Sequence, residues 1–164
     1  MIDLLTFLHL FGLVLSLGGG TVFVFVLYPS LKFLAEPADR MKLLGNSLRY
    51  FHPIFLFGIC LTFMTGAMHL TQLKIGLGSS YYEKLGGILL WKFGMTLLIF
   101  LVAGMQCFGM GLKLQRMANG VIAGDLVRQE YYAKKIWRAQ LVNLVLLAVT
   151  LWLGLKMGAL THVP

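Results

Sequence analysis

Charge is what this chain has least of. Only 12% of its 164 residues are Asp, Glu, Lys or Arg, against 59% apolar residues, where a water-soluble domain carries roughly 25% charged residues. Together with a mean hydropathy of +0.83, that shortage excludes water as the main solvent. Acid is scarcer still. Asp3, Glu36, Asp39, Glu83, Asp125 and Glu130 all fall outside the long apolar runs or at their edges, whereas a proton-driven transporter keeps an acid within the membrane. Cysteine is limited to Cys60 and Cys107, each inside an apolar run and neither in a CxxC pair. Both read as packing residues without a disulfide or zinc role. No nucleophile triad, HExxH or phosphate-binding glycine loop is present.

Base is less scarce, and the net charge is +8. A nucleic-acid partner is not expected, because the cations sit between apolar runs instead of clustering on one water-facing surface. They read as loops held at an anionic lipid bilayer.

Long apolar sequence is abundant. Four runs near the ~20-residue length that crosses a bilayer core lie at about 4–31, 50–73, 87–112 and 136–158. The expected fold is all-α, an integral membrane protein forming one domain, an antiparallel bundle of four transmembrane helices, with little chain left for a soluble module. Asp3 and the length of the first run argue against a cleavable signal, so the N-terminus is expected to stay as helix 1. Pro29 marks a kink or an end of that helix, and Glu36, Pro37, Ala38, Asp39 and Arg40 mark the first turn. Asp125 is placed to cap a fourth helix that begins in water, with Glu130 and Lys134 as a supporting pair.

With the N-terminal face as side A, ten of the 14 cations fall on side B: Lys32, Arg40, Lys42, Arg49, Lys113, Arg116, Arg128, Lys134, Lys135 and Arg138. Lys74, Lys84, Lys92 and Lys156 fall on side A. The positive-inside rule then predicts a multi-pass protein of the cell's inner membrane, with side B cytoplasmic and both termini outside. Aromatic residues suit both rims, with Trp91 and Trp152 near A and Tyr28, Tyr50 and Trp137 near B.

An ionisable side chain within a span is costly in hydrocarbon and is a functional candidate by default. His9 lies a few residues into helix 1, and His69 lies a few residues before helix 2 returns, so both sit roughly 6–8 Å below rim A. Two imidazoles at one depth could ligate one metal. The His9 face continues through Gly12, Ser16 and Gly20, and the His69 face runs back through Thr65, Thr62 and Gly58. Such small faces suit a flat macrocycle, with neutral imidazole as an axial haem ligand. They equally suit close helix packing, with the histidines as hydrogen-bonding groups at the rim.

Lys92, beside Trp91, reaches rim A at a comparable depth, either to meet lipid headgroups or to pair with a haem propionate. Its face continues through Thr96, Ile99, Ala103, Gln106 and Met110, and Gln140, Asn143, Thr150 and Gly154 mark the interior side of helix 4. At rim B, Arg49, His52 and Arg138 form a basic patch suited to anionic lipid. A second haem there would take His52 and a methionine such as Met110. His162 belongs to a solvated tail.

In Phe7-Leu8-His9 with glycines later in helix 1, Thr65-Gly66, Trp91-Lys92, and Arg138 with Asn143, the chain resembles the four-helix membrane group that includes the CopD copper-resistance family and the HemJ-type protoporphyrinogen oxidases. The resemblance spans nearly the whole chain and implies an antiparallel bundle. For HemJ-type members it implies haem b and removal of electrons from a porphyrinogen, with His9 and Lys92 matching. Where that group tends to show a histidine late in helix 3, this chain has Gln106. CopD-like members imply copper handling, but the nine methionines are scattered instead of forming MxxM clusters.

The leading expectation is therefore haem b held by His9 and His69 near the outer leaflet. Electrons would pass between a quinone or a partner protein and another redox centre. The enzyme alternative is a HemJ-like oxidoreductase, which needs a substrate-sized cavity beside His9 and Lys92. The third reading is a cofactor-free accessory subunit, assembled with its own copies or with other chains through its glycine faces.

Overall fold

The computed structural model describes residues 3–78 and 81–161, without the side chains of 77, 81–84 and 158–161. His162 and the Lys84 side chain lie outside the described residues. Four helices are long and apolar enough to cross a membrane: α1 (Leu4–Phe33), α2 (Pro37–Gly76), α3 (Leu85–Ala118) and α4 (Leu126–Met157). No strand occurs among the described residues.

Helix α1 opens on Asp3, whose Oδ1 accepts from the Thr6 backbone N–H at 2.7 Å. This satisfies one of the donors that every helix start leaves free. Pro29 cannot donate an N–H to the preceding turn, and that turn widens into a π-helix over Phe23–Leu27. The Tyr28 N–H accordingly reaches the Phe23 carbonyl and leaves the Val24 carbonyl without its α-helical donor. Trp137 of α4 donates its indole N–H there, at 3.3 Å, and stacks on Tyr28 with ring centroids 5.8 Å apart. A proline in α1 thus creates the acceptor that fastens α4.

The first turn is shorter than the polar stretch predicts. Residues 34–36 carry it, and Pro37 is already the first residue of α2. Proline suits that position because its φ is pre-set and its missing N–H would be free there anyway. Arg40 folds back to donate from Nε to the Leu34 carbonyl at 2.7 Å and from Nη2 to the Ala35 carbonyl at 3.3 Å. Helix α2 therefore extends thirteen residues ahead of the apolar run that starts at Tyr50, since charged residues end a hydrophobic run without ending a helix. Between α3 and α4, Gly120 adopts φ +71°, a conformation that favours glycine. Asp125 Oδ1 caps α4 by accepting from the Arg128 N–H at 2.9 Å.

The core runs along the bundle in three layers. Phe23, Leu44, Leu48, Leu114 and Ile136 fill the layer at the α1 C-terminal end. Phe55, Ile59, Ile99, Ala103 and Leu147 fill the middle, and Leu85 with Met157 close the other end. The predicted α3 face is inward, with Ile99, Ala103, Gln106 and Met110 all buried. Cys60 and Cys107 are both free thiols. Large apolar side chains such as Phe7, Phe25, Leu101, Phe108 and Trp152 point outward.

Candidate functional site

The two histidines of the first and second helices meet. Their ring centroids are 5.7 Å apart, with the planes at 88°, and His9 Nδ1 lies 2.9 Å from Thr65 Oγ1. The Thr65 hydroxyl also has the Leu61 carbonyl at 2.6 Å and the Thr62 carbonyl at 3.2 Å. With its proton on either carbonyl, its oxygen accepts from the His9 Nδ1–H and the lone pair is on Nε2, one of the two forms of neutral imidazole that bind metals. A Cβ at Gly66 would come 3.3 Å from His9 Cε1, so the glycine gives the ring its place. Lys92 of α3 acts electrostatically on His9, and its Nζ lies where a Cβ on Gly154 of α4 would come within 3.3 Å. All four helices thus contribute to one level of the bundle.

Below that level the small-residue stripes lie directly against each other. A Cβ at Gly12 would stand 2.6 Å from Thr62 Oγ1 and 2.9 Å from the Gly58 carbonyl, and one at Gly58 would stand 3.0 Å from the Gly12 carbonyl. Ser16 and Thr62 spend their hydroxyls on their own helices, donating to Gly12 O at 2.9 Å and Gly58 O at 2.8 Å. Between these stripes there is no room for a macrocycle. The donors at the histidine level are a separate matter. Among the described residues no group of three or more His, Cys, Asp or Glu could hold a metal ion, so His9 and His69 form a pair without a third such ligand. A pair of imidazoles would suit haem iron, whose remaining ligands the porphyrin supplies, better than a bare ion.

The rim B residues do not assemble as a trio. Arg49 and Arg138 are exposed, whereas His52 is buried and turned toward α3. Its ring occupies the hollow left by the missing side chain of Gly111, at the end of a π-helical segment over Met105–Gly111. Among the described residues His52 Nε2 has no hydrogen-bond partner.

A further polar cluster forms between α3 and α4. Gln106 Nε2 donates to Gln140 Oε1 at 2.7 Å, and Asn143 Nδ2 donates to Gln106 Oε1 at 3.3 Å. All three side chains are fully buried. The sequence places each on an inward face, and their common depth was the available signal that they pair.

One cavity, of about 220 Å³, is lined by Phe63, Phe93, Leu97 and Phe100, and another, of about 150 Å³, lies at the rim where α1 ends. Neither borders His9 or Lys92. In comparisons with known proteins, no family model, no curated protein and no solved structure matches this chain.

Proposed function

We propose that the protein is an antiparallel four-helix membrane bundle that carries electrons through a haem b iron held by His9 and His69. The observation that carries this reading is the approach of the two imidazoles, with ring centroids 5.7 Å apart and His9 Nδ1 held 2.9 Å from Thr65 Oγ1. A ligating histidine is typically oriented in this way through its other ring nitrogen. Membrane insertion is supported by the outward apolar side chains, since no more than 28% of any of the four apolar windows is buried and soluble monomers rarely expose such surface contiguously. The His9–His69 contact joins the start of α1 to the end of α2, which supports an antiparallel arrangement. The charge asymmetry supports side B as cytoplasmic and both termini as external.

Bound haem would supply one-electron chemistry at the iron. Within the chain, His9 and His69 would hold the iron, and Thr65 would orient the His9 imidazole through Nδ1. Lys92, half-buried beside them, offers a positive charge to a propionate. The electron partner is a quinone or another membrane redox protein; HemJ-like porphyrinogen oxidation, the enzymatic variant, needs a substrate cavity beside His9 and Lys92, and neither cavity described above borders them.

One observation favours a cofactor-free accessory subunit, namely the direct contact of the Gly12 and Gly58 stripes, which uses them as packing surfaces. The absorption spectrum of the purified protein separates the two readings. The redox reading expects a Soret band that is lost in the His9→Ala/His69→Ala variant. In Thr65→Val it expects haem affinity to fall about 10- to 100-fold, and in Thr65→Ser to recover. A protein without a Soret band, or a band that survives loss of both histidines, overturns it in favour of the subunit.

A further inference from the structure

At the rim opposite the histidines, a cavity of about 150 Å³ opens between the end of α1, the start of α2 and the first turns of α4, bounded by Lys32, Arg40 and Lys134 and by one acid, Glu130. We infer that this cavity binds the phosphate of an anionic phospholipid headgroup.

The charges favour an anion. Three cations line it with one carboxylate, and the ion pair between Lys134 Nζ and Glu130 Oε2 is long at 4.0 Å with both groups exposed. Such a pair holds its partners weakly. Arg40 commits two of its five N–H donors to the carbonyls of Leu34 and Ala35. This fixes the guanidinium as a wall of the cavity while its remaining donors stay available to phosphate oxygens.

The apolar lining favours a lipid as the source of that phosphate. Leu31, Met41 and Ala133 also line the cavity, each buried in the core layer, so one opening offers both cations and apolar surface. It stands beside the stacked Tyr28–Trp137 pair, the kind of aromatic contact found at headgroup level. The site also has fixed walls, because the Trp137–Val24 bond holds α4 to α1 and the Arg40 bonds hold the turn. This site is distinct from a diffuse basic rim, and Arg49 is not part of it.

The test measures thermal stabilisation and retained lipid in purified protein, by native mass spectrometry, with phosphatidylglycerol, phosphatidylcholine and inorganic phosphate as probes. At about fivefold per cation near an anionic surface, Lys32→Gln/Lys134→Gln should lower the preference for phosphatidylglycerol over phosphatidylcholine by about 25-fold. Arg49→Gln should leave it nearly unchanged. Both lysines are exposed, so the double variant should fold, and an unaltered melting temperature without lipid checks this. Stabilisation by phosphatidylglycerol alone supports the lipid as source. Equal stabilisation by inorganic phosphate keeps the phosphate site but overturns its assignment to a lipid. A preference unchanged in the double variant, or lowered as much by Arg49→Gln, overturns the site.

Discussion

Replacing Gly12 by alanine is the most direct perturbation of the contact between α1 and α2. The added Cβ would lie 2.6 Å from Thr62 Oγ1, 2.9 Å from the Thr62 backbone nitrogen and 2.9 Å from the Gly58 carbonyl. Two of those three atoms belong to the backbone, so no rotamer change on α2 can relieve the overlap and the helices must separate. Overpacking that displaces backbone costs about 1–3 kcal/mol, and Gly12→Ala belongs at the upper end. Gly18 on the same helix has no atom within 4 Å of its Cβ position. Gly18→Ala therefore meets nothing and should stabilise by roughly 0.5–1 kcal/mol through the helical preference of alanine. Reversible unfolding of the two variants in mixed micelles, followed by tryptophan fluorescence, should separate them by about 3 kcal/mol, roughly a hundredfold in the unfolding equilibrium. If Gly12→Ala proves as stable as Gly18→Ala, the stripes are not the packing surface described here.

Two further perturbations address the interior and the rim. Gln106→Leu strands the buried partners Gln140 and Asn143 and should cost about 1–2 kcal/mol in the same unfolding assay. Adding Gln140→Leu and Asn143→Leu should recover part of that loss, and unchanged stability in the single variant would refute a structural role for the cluster. Asp3 is held below its ordinary value of 3.8, first by its hydrogen bonds to Thr6 and in smaller part by the charge of His69. A carboxylate with a lowered folded pKa adds stability above its unfolded pKa and loses it as pH falls through the folded one. Amide exchange at Thr6 and Phe7 should accordingly lose protection as pH drops below about 3.8, whereas Asp3→Asn, which retains an acceptor, should remove that pH dependence. Protection that falls identically in both proteins would show that the cap does not titrate.

The sequence by itself determined the four apolar helices, because 3.6-residue periodicity, run length and scarce charge act locally along the chain. It also placed the individual side chains of the site at a depth, since helical rise converts residue number into distance. His9, His69 and Lys92 were expected at one level, and that is where His9 meets His69 and lies within electrostatic reach of Lys92. Likewise Asp125 was legible as a cap because capping involves only the next few residues. Depth alone does not fix the rotation of a helix about its axis, and rotation decided the rest. His52 shares its rim with Arg49 and Arg138 but faces α3, because only there does a glycine, Gly111, leave space for its ring. The glycine stripes were compatible with a macrocycle or with a second helix, and the tertiary structure filled them with a helix. The Thr65 oxygen that orients His9 and the Val24 carbonyl that receives Trp137 became visible only in three dimensions. Each depends on where one helix has spent its own hydrogen bonds and which group of a neighbouring helix then comes within reach.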